Sequence, residues 1–175
     1  PALCESDAWK GRAEYGYGEE KLFSESLCEF FDKCTDMKTR VARFHNIYAP
    51  AYTTFKGGRE KAPAALCRKI AESVINGSHE IEIWGDGEQQ RSFCYIDDCI
   101  DGILKIMRGD YNKPVNLGSS ELVSINELVS IIEKIAGVTV SRKYDLDAPK
   151  GVRGRNSDNT LIKKIYGWEI GRAHV

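Results

Sequence analysis

The chain has 175 residues, 25 basic and 26 acidic side chains, and a formal net charge of -1. That length is enough for a real hydrophobic core, and the near-neutral balance excludes a global basic field that would gather nucleic acid or anionic lipid. Charged residues at 29% and hydrophobic ones at 42% are the usage of a folded chain, far from the depleted composition of disordered segments. Six cysteines, Cys4, Cys28, Cys34, Cys67, Cys94 and Cys99, show no C-x-x-C pair. The spacing argues against a zinc site or a disulfide framework and for reduced thiols, and no metal is expected. No apolar run reaches the length of a membrane span and the start lacks a signal pattern, so a cytoplasmic setting without membrane or nucleic-acid partners is expected.

In chain order, Phe23, Leu27, Phe30, Phe31 and Cys34 fall at helical spacing and predict a helix over 15–33 with one apolar stripe. Thr39 to Tyr48 reads as a strand running into a loop at Ala49-Pro50. Pro63 stands where a first helical turn accepts proline, and Ala62, Leu66, Ile70 and Val74 continue a second helix to about Asn76-Gly77. His79 to Trp84 alternates as a half-exposed strand and stops at Gly85-Asp86-Gly87. A short strand over 91–95 is expected next, then a helix from Asp97 whose face holds Ile96, Ile100, Ile103, Leu104 and Met107. Val115 to Leu117 predicts another short strand. Ser124-Ile125-Asn126-Glu127 is a capping box, so a helix follows, buried through Leu128, Ile131, Ile132 and Ile135 and ended by Gly137. Val138 to Lys143 reads as a strand, 145–159 as a polar loop and 159–166 as a last short helix. Alternating helices and strands argue for an α/β fold.

Tyr17 and Lys21 lie four apart on the first helix, hence one turn apart on one face. An ammonium beside a phenol favours the phenolate, which gives a base able to take an alcohol's proton as hydride leaves the carbon. On spacing alone the same pair also reads as ordinary surface neighbours.

Further on come R-F-H-N-I-Y-A-P from Arg43, K-G-G-R-E-K-A-P from Lys56, W-G-D-G from Trp84 with Arg91 beyond it, and G-V-R-G-R-N-S-D-N from Gly151, all after E-S-D-A-W at Glu5. In this order they resemble the extended short-chain dehydrogenase/reductase family of nucleotide-sugar epimerases and dehydratases, over Glu5 to Trp168. The resemblance implies NAD as cofactor, GDP-mannose as substrate, epimerisation at C3 and C5 through a transient 4-keto sugar, and a homodimer in the full-length protein. It implies Tyr17 as the oxidising base, Lys21 as holder of the nicotinamide ribose, and Lys61 as one member of the epimerising acid/base pair. The pair's cysteine belongs upstream of Glu5 in the family, so Cys4 is not assigned to it. Asn46, Glu60, Lys61 and Ala62 would meet the sugar, and Lys69, Gln89, Gln90, Arg91 and Arg155 the diphosphate and nucleotide.

The implied organisation is the C-terminal part of a Rossmann-type NAD-binding domain over 1–50, and a smaller α/β substrate-binding domain over 51–169 with some segments returning to the first sheet. No G-x-G-x-x-G is present, so the chain is expected to be a C-terminal fragment without turnover of its own. Residues 170–175 continue no family pattern and are expected to be an artefactual tail, with no function for His174. A 4-epimerase or 4,6-dehydratase of another nucleotide sugar, or a non-catalytic relative, stays open beside this reading.

Overall fold

The computed structural model describes residues 2–10, 15–50, 60–148 and 153–171. The elements are a 3-10 turn Glu5–Trp9, then α1 Tyr17–Cys34, β1 Ala42–Phe44, β2 Ile47–Tyr48 and α2 Ala62–Ile75. They continue with β3 Glu80–Trp84, β4 Gln90–Arg91, β5 Cys94–Tyr95, α3 Ile96–Arg108 and β6 Val115–Leu117. The last are β7 Val123–Ser124, α4 Ile125–Ala136, β8 Ser141–Asp145, β9 Gly154–Arg155 and α5 Thr160–Tyr166. The chain divides into two compact units: 1–47, 92–120 and 156–175 form unit 1, and 48–91 and 121–155 form unit 2.

In unit 1, β1 pairs parallel with β6, Arg43 opposite Asn116 and Phe44 opposite Leu117, and β2 pairs with β5. The core gathers Cys94, Cys99, Ile106, Val115, Leu117, Ile162 and Trp168. The buried residues of α3 are Asp98, Cys99, Gly102 and Ile106; of the expected face Ile103 packs against this core, whereas Ile100 and Met107 are exposed. Small side chains decide this: a Cβ on Gly102 would come within 2.3 Å of Leu117 Cδ1 and 3.2 Å of Trp168 Nε1, so the helix seats at the glycine. The Trp168 indole donates to the Asp98 carbonyl at 3.2 Å, and Ile170 packs against the same core.

The apolar stripe of α1 is helical as expected but is not buried; Phe23 is 63% exposed, and Leu27, Phe30 and Phe31 are exposed too. Among the described residues no layer of this chain covers it. Polar links hold the helix instead: Thr39 Oγ1 donates to the Cys28 carbonyl at 2.9 Å and Asn112 Nδ2 to Asp32 Oδ2 at 2.6 Å.

In unit 2, β3 and β8 run parallel in register from Glu80 opposite Ser141 to Trp84 opposite Asp145. Ile81 and Ile83 point inward from β3 and meet Leu66 and Ile70 of α2, Ile125 and Val129 of α4, and Val140, the period-two pattern that the sequence shows. The Ser124 side chain accepts from the Glu127 amide at 3.1 Å and Glu127 Oε2 accepts from the Ser124 amide at 2.7 Å, while Gly137 closes the helix at φ 66°. The buried face of α4 is turned from the expected one: Ile131 and Ile135 are exposed, and Leu128 and Ile132 pack with Ile125 and Val129.

Three expectations on strands need correction. The segment 91–95 is not one strand: β4 and β5 belong to different sheets, with the unit boundary between Arg91 and Ser92. The run 39–48 holds two short strands parted at Asn46, whose φ is 43°. The polar loop contains β9, which joins the three-stranded sheet β7-β4-β9, because main-chain pairing here needs no apolar alternation.

Candidate active site

The first set of candidate residues stands on unit 1. Gly16, at φ 82°, precedes α1 in a left-handed conformation that a glycine enters freely, so Tyr17 opens the helix. Tyr17 is 66% exposed. One turn on, Lys21 Nζ lies 5.2 Å from the Tyr17 ring centroid and 3.2 Å from Glu20 Oε1. The helix thus presents a phenol and an ammonium together at the surface, as the spacing predicts.

Asn46 sits at the break between β1 and β2. Its carbonyl accepts the Cys94 amide at 3.1 Å and its Nδ2 donates to the Ser92 carbonyl at 3.0 Å. A positive φ in a non-glycine residue is uncommon, and Asn is one of the few residues that tolerates it. The buried His45 beside it crowds Gly118, where a Cβ would stand 2.6 Å from His45 Cβ.

The second set stands on unit 2. Lys61 is the N-cap of α2, with extended backbone at φ -74° and ψ 155°, Ala62 is its first residue, and Lys61 is exposed. Glu60 is engaged from behind: Arg68 Nε and Nη2 donate to its two carboxylate oxygens, each at 2.7 Å, with the Glu60 side chain only 4% exposed. That hydrogen bonding holds the Glu60 carboxyl below the usual carboxylate range. Arg68 stands eight residues beyond Glu60, on α2, and no signal in the sequence marks it as the partner. The Lys69 ammonium donates to the Glu82 carbonyl at 2.8 Å.

Gln89 and the β4 pair Gln90-Arg91 lie at the sheet β7-β4-β9. Gln89 Nε2 donates to the Trp84 carbonyl at 2.8 Å, and the Gln90 amide donates to the Arg153 carbonyl at 2.9 Å. Arg91 stands opposite Arg155 across the parallel ladder. Burial first, and the Arg155 charge second, depress the Arg91 guanidinium below its ordinary value. Among the described residues neither arginine meets a carboxylate. Two cations side by side without a carboxylate form an arrangement that a bound anion stabilises.

The structure therefore groups the candidates as Tyr17, Lys21 and Asn46 on unit 1, and Glu60, Lys61, Ala62, Lys69, Gln89, Gln90, Arg91 and Arg155 on unit 2. The Lys56 to Arg59 part of the K-G-G-R-E-K-A-P block, Gly151-Val152 and His174 lie outside the described residues. No helix among the described residues is long and apolar enough to cross a membrane.

Residues 4–118 match the profile described as "NAD dependent epimerase/dehydratase family". The chain is 49% identical over 167 residues to GDP-mannose 3,5-epimerase 1 of Oryza sativa subsp. indica, covering 95% of this chain and 43% of that protein. It is 47% identical to GDP-mannose 3,5-epimerase of Arabidopsis thaliana over the same shares of both chains. Among solved structures, UDP-glucose 4-epimerase of Thermotoga maritima with UDP-glucose aligns at 30% identity and a TM-score of 0.76, over 88% of this chain and 48% of that one. The chain thus spans less than half the length of each of these proteins.

Proposed function

The chain belongs to the NAD dependent epimerase/dehydratase family, and from that premise we propose that the full-length protein epimerises GDP-mannose at C3 and C5, giving GDP-L-galactose and GDP-L-gulose. The observation that carries this reading is Lys61, exposed at the head of α2 in a chain 49% identical to a GDP-mannose 3,5-epimerase. A simple 4-epimerase has no use for an acid/base group there.

When bound, NAD supplies the acceptor and donor of the C4 hydride. The exposed phenol of Tyr17 and the ammonium of Lys21 fit its ribose side, since both are donors at the surface and, among the described residues, Glu20 is the one carboxylate that Lys21 pairs with. Tyr17 takes the C4 hydroxyl proton as the carbon is oxidised, and Lys21 holds the nicotinamide ribose. Oxidation at C4 acidifies the protons on C3 and C5, which sit next to the new carbonyl. Lys61 then removes or delivers a proton on one face of the ring, with a cysteine as its opposite. Asn46, Glu60 and Ala62 belong to the sugar side of this scheme; Lys69, Gln89, Gln90, Arg91 and Arg155 belong to the diphosphate and nucleotide side. We place the protein in the cytoplasm as a homodimer.

The test is turnover of GDP-mannose in deuterated water by the full-length protein. Deuterium is expected at C3 and C5 of recovered nucleotide sugar. Tyr17→Phe is expected to lower turnover at least about a hundredfold, and Lys61→Met to abolish inversion at C3 and C5 while transient oxidation at C4 persists. Inversion at C4 alone, without exchange at C3 or C5, overturns the reading in favour of a 4-epimerase.

A further inference from the structure

Arg43 of β1 forks onto Glu25 of α1. Its Nε donates to Glu25 Oε1 at 2.7 Å and its Nη2 to Glu25 Oε2 at 2.6 Å. The pair is among the least exposed ion pairs of the described residues, 17% for Arg43 and 13% for Glu25. The remaining nitrogen, Nη1, donates to the Glu5 carbonyl at 2.7 Å. Glu5 in turn accepts the Asn116 amide of β6 on its carboxylate at 2.9 Å. One guanidinium thus joins a helix, a strand and the 3-10 turn, and the turn is fixed to the neighbouring strand.

Glu25 follows Tyr17 and Lys21 at steps of four residues, so the three share one ridge of α1. Along the axis Glu25 stands roughly 12 Å from Tyr17 at ~1.5 Å per residue. Among the described residues the other side-chain links between α1 and the rest of the chain, at Cys28, Glu29 and Asp32, serve its C-terminal half. A bidentate fork, unlike a single hydrogen bond or a point charge, resists rotation about the helix axis as well as sliding along it.

We infer that the Glu25–Arg43 pair sets the rotational position of α1, and through it the placement of Tyr17 and Lys21, as positioning residues for the oxidation step. This rests on the functional reading above. Misplacement of a reacting group by about 1 Å costs on the order of a hundredfold in rate, so a loosened α1 lowers kcat before it lowers stability.

In the full-length protein, Glu25→Gln keeps the shape and removes the charge, and Arg43→Lys keeps the charge and removes the fork. Each single variant is expected to lose about tenfold to a hundredfold in kcat on GDP-mannose, with KM within about twofold of wild type. The exchanged pair, Glu25→Arg with Arg43→Glu, is expected to recover part of the loss. If either single variant fails to fold by circular dichroism, Glu25→Asp, one methylene shorter with both oxygens kept, replaces it with the same expectation. Amide hydrogen exchange over residues 17–21 gives a readout that needs no substrate, and is expected to quicken in Glu25→Gln. Wild-type kcat in the folded variants overturns the inference, as does a loss carried by KM or matched by an equal fall in melting temperature. Wild-type protein inert on GDP-mannose instead sinks the functional reading, and exchange over 17–21 then decides the pin by itself.

Discussion

Both oxygens of Glu60 are committed to Arg68, so the carboxylate next to Lys61 is already satisfied inside unit 2. Arg68 also reaches Glu72 at 2.8 Å, which fixes the guanidinium on the helix that Lys61 caps. The sign of the pH dependence follows from the depressed Glu60 value. The stabilisation is fully present above the ordinary carboxylate range and is lost as pH falls through the lowered folded value. Arg68→Met is therefore expected to flatten the acid limb of stability and to lower kcat by misplacing Lys61. Urea melts from neutral to acid pH, with kcat beside them, check this; an unchanged acid limb would remove Glu60 from the account. Tyr17 and Lys21 were legible as a pair because helical spacing alone places them together. The fork on Glu60 was not, since it joins a residue before α2 to one within it, and nothing local in the sequence marks such a partner.

At the scale of elements, α4 is the best specified, with the reciprocal bonds of Ser124 and Glu127 at one end and left-handed Gly137 at the other. Removing the cap oxygen in Ser124→Ala leaves an amide without its side-chain acceptor and is expected to cost about 1 kcal/mol. Equilibrium urea unfolding measures it, and a loss well under that figure would mean that water replaces the serine. The start and end of α4 could be read from the sequence, but its buried face only in part: Leu128 and Ile132 pack as expected, whereas Ile131 and Ile135 are exposed. Its apolar arc, which also holds Ile131 and Ile135, is wider than the surface it buries, and only the position of β3 and α2 selects Ile125, Leu128, Val129 and Ile132. For α3 the failure has a different cause: its contact face runs through Cys99 and Gly102, which hydrophobic periodicity undervalues although close approach requires them. The two-residue strands β4, β7 and β9 escape any periodic signal because they are too short to show a period.

At the scale of the molecule, the chain leaves unit 1 after Ile47, returns at Ser92, leaves again after Ser120 and returns at Asn156. Sequence periodicity locates elements but carries no mark of which segments rejoin, so the α/β class was readable while the assignment of β4 and β5 to separate sheets was not. The exposed stripe of α1 belongs at this scale too. Contiguous apolar surface of that kind promotes association, so the chain expressed alone is expected to bind a hydrophobic dye and to self-associate. Leu27→Lys with Phe30→Lys should reduce both. Dye binding unchanged in that variant would place the apolar surface elsewhere.

Trp168 is 1% exposed, whereas Trp9 and Trp84 are 62% and 54% exposed, and these are all the tryptophans of the chain. Its indole is enclosed by the core of unit 1 and pinned by the Asp98 carbonyl, an apolar setting that favours blue emission out of reach of iodide. The other two fluorophores already face solvent and contribute a red, quenchable background. Intrinsic fluorescence therefore singles out unit 1: the blue, quencher-resistant fraction of the spectrum reports the integrity of the body that carries Tyr17 and Lys21.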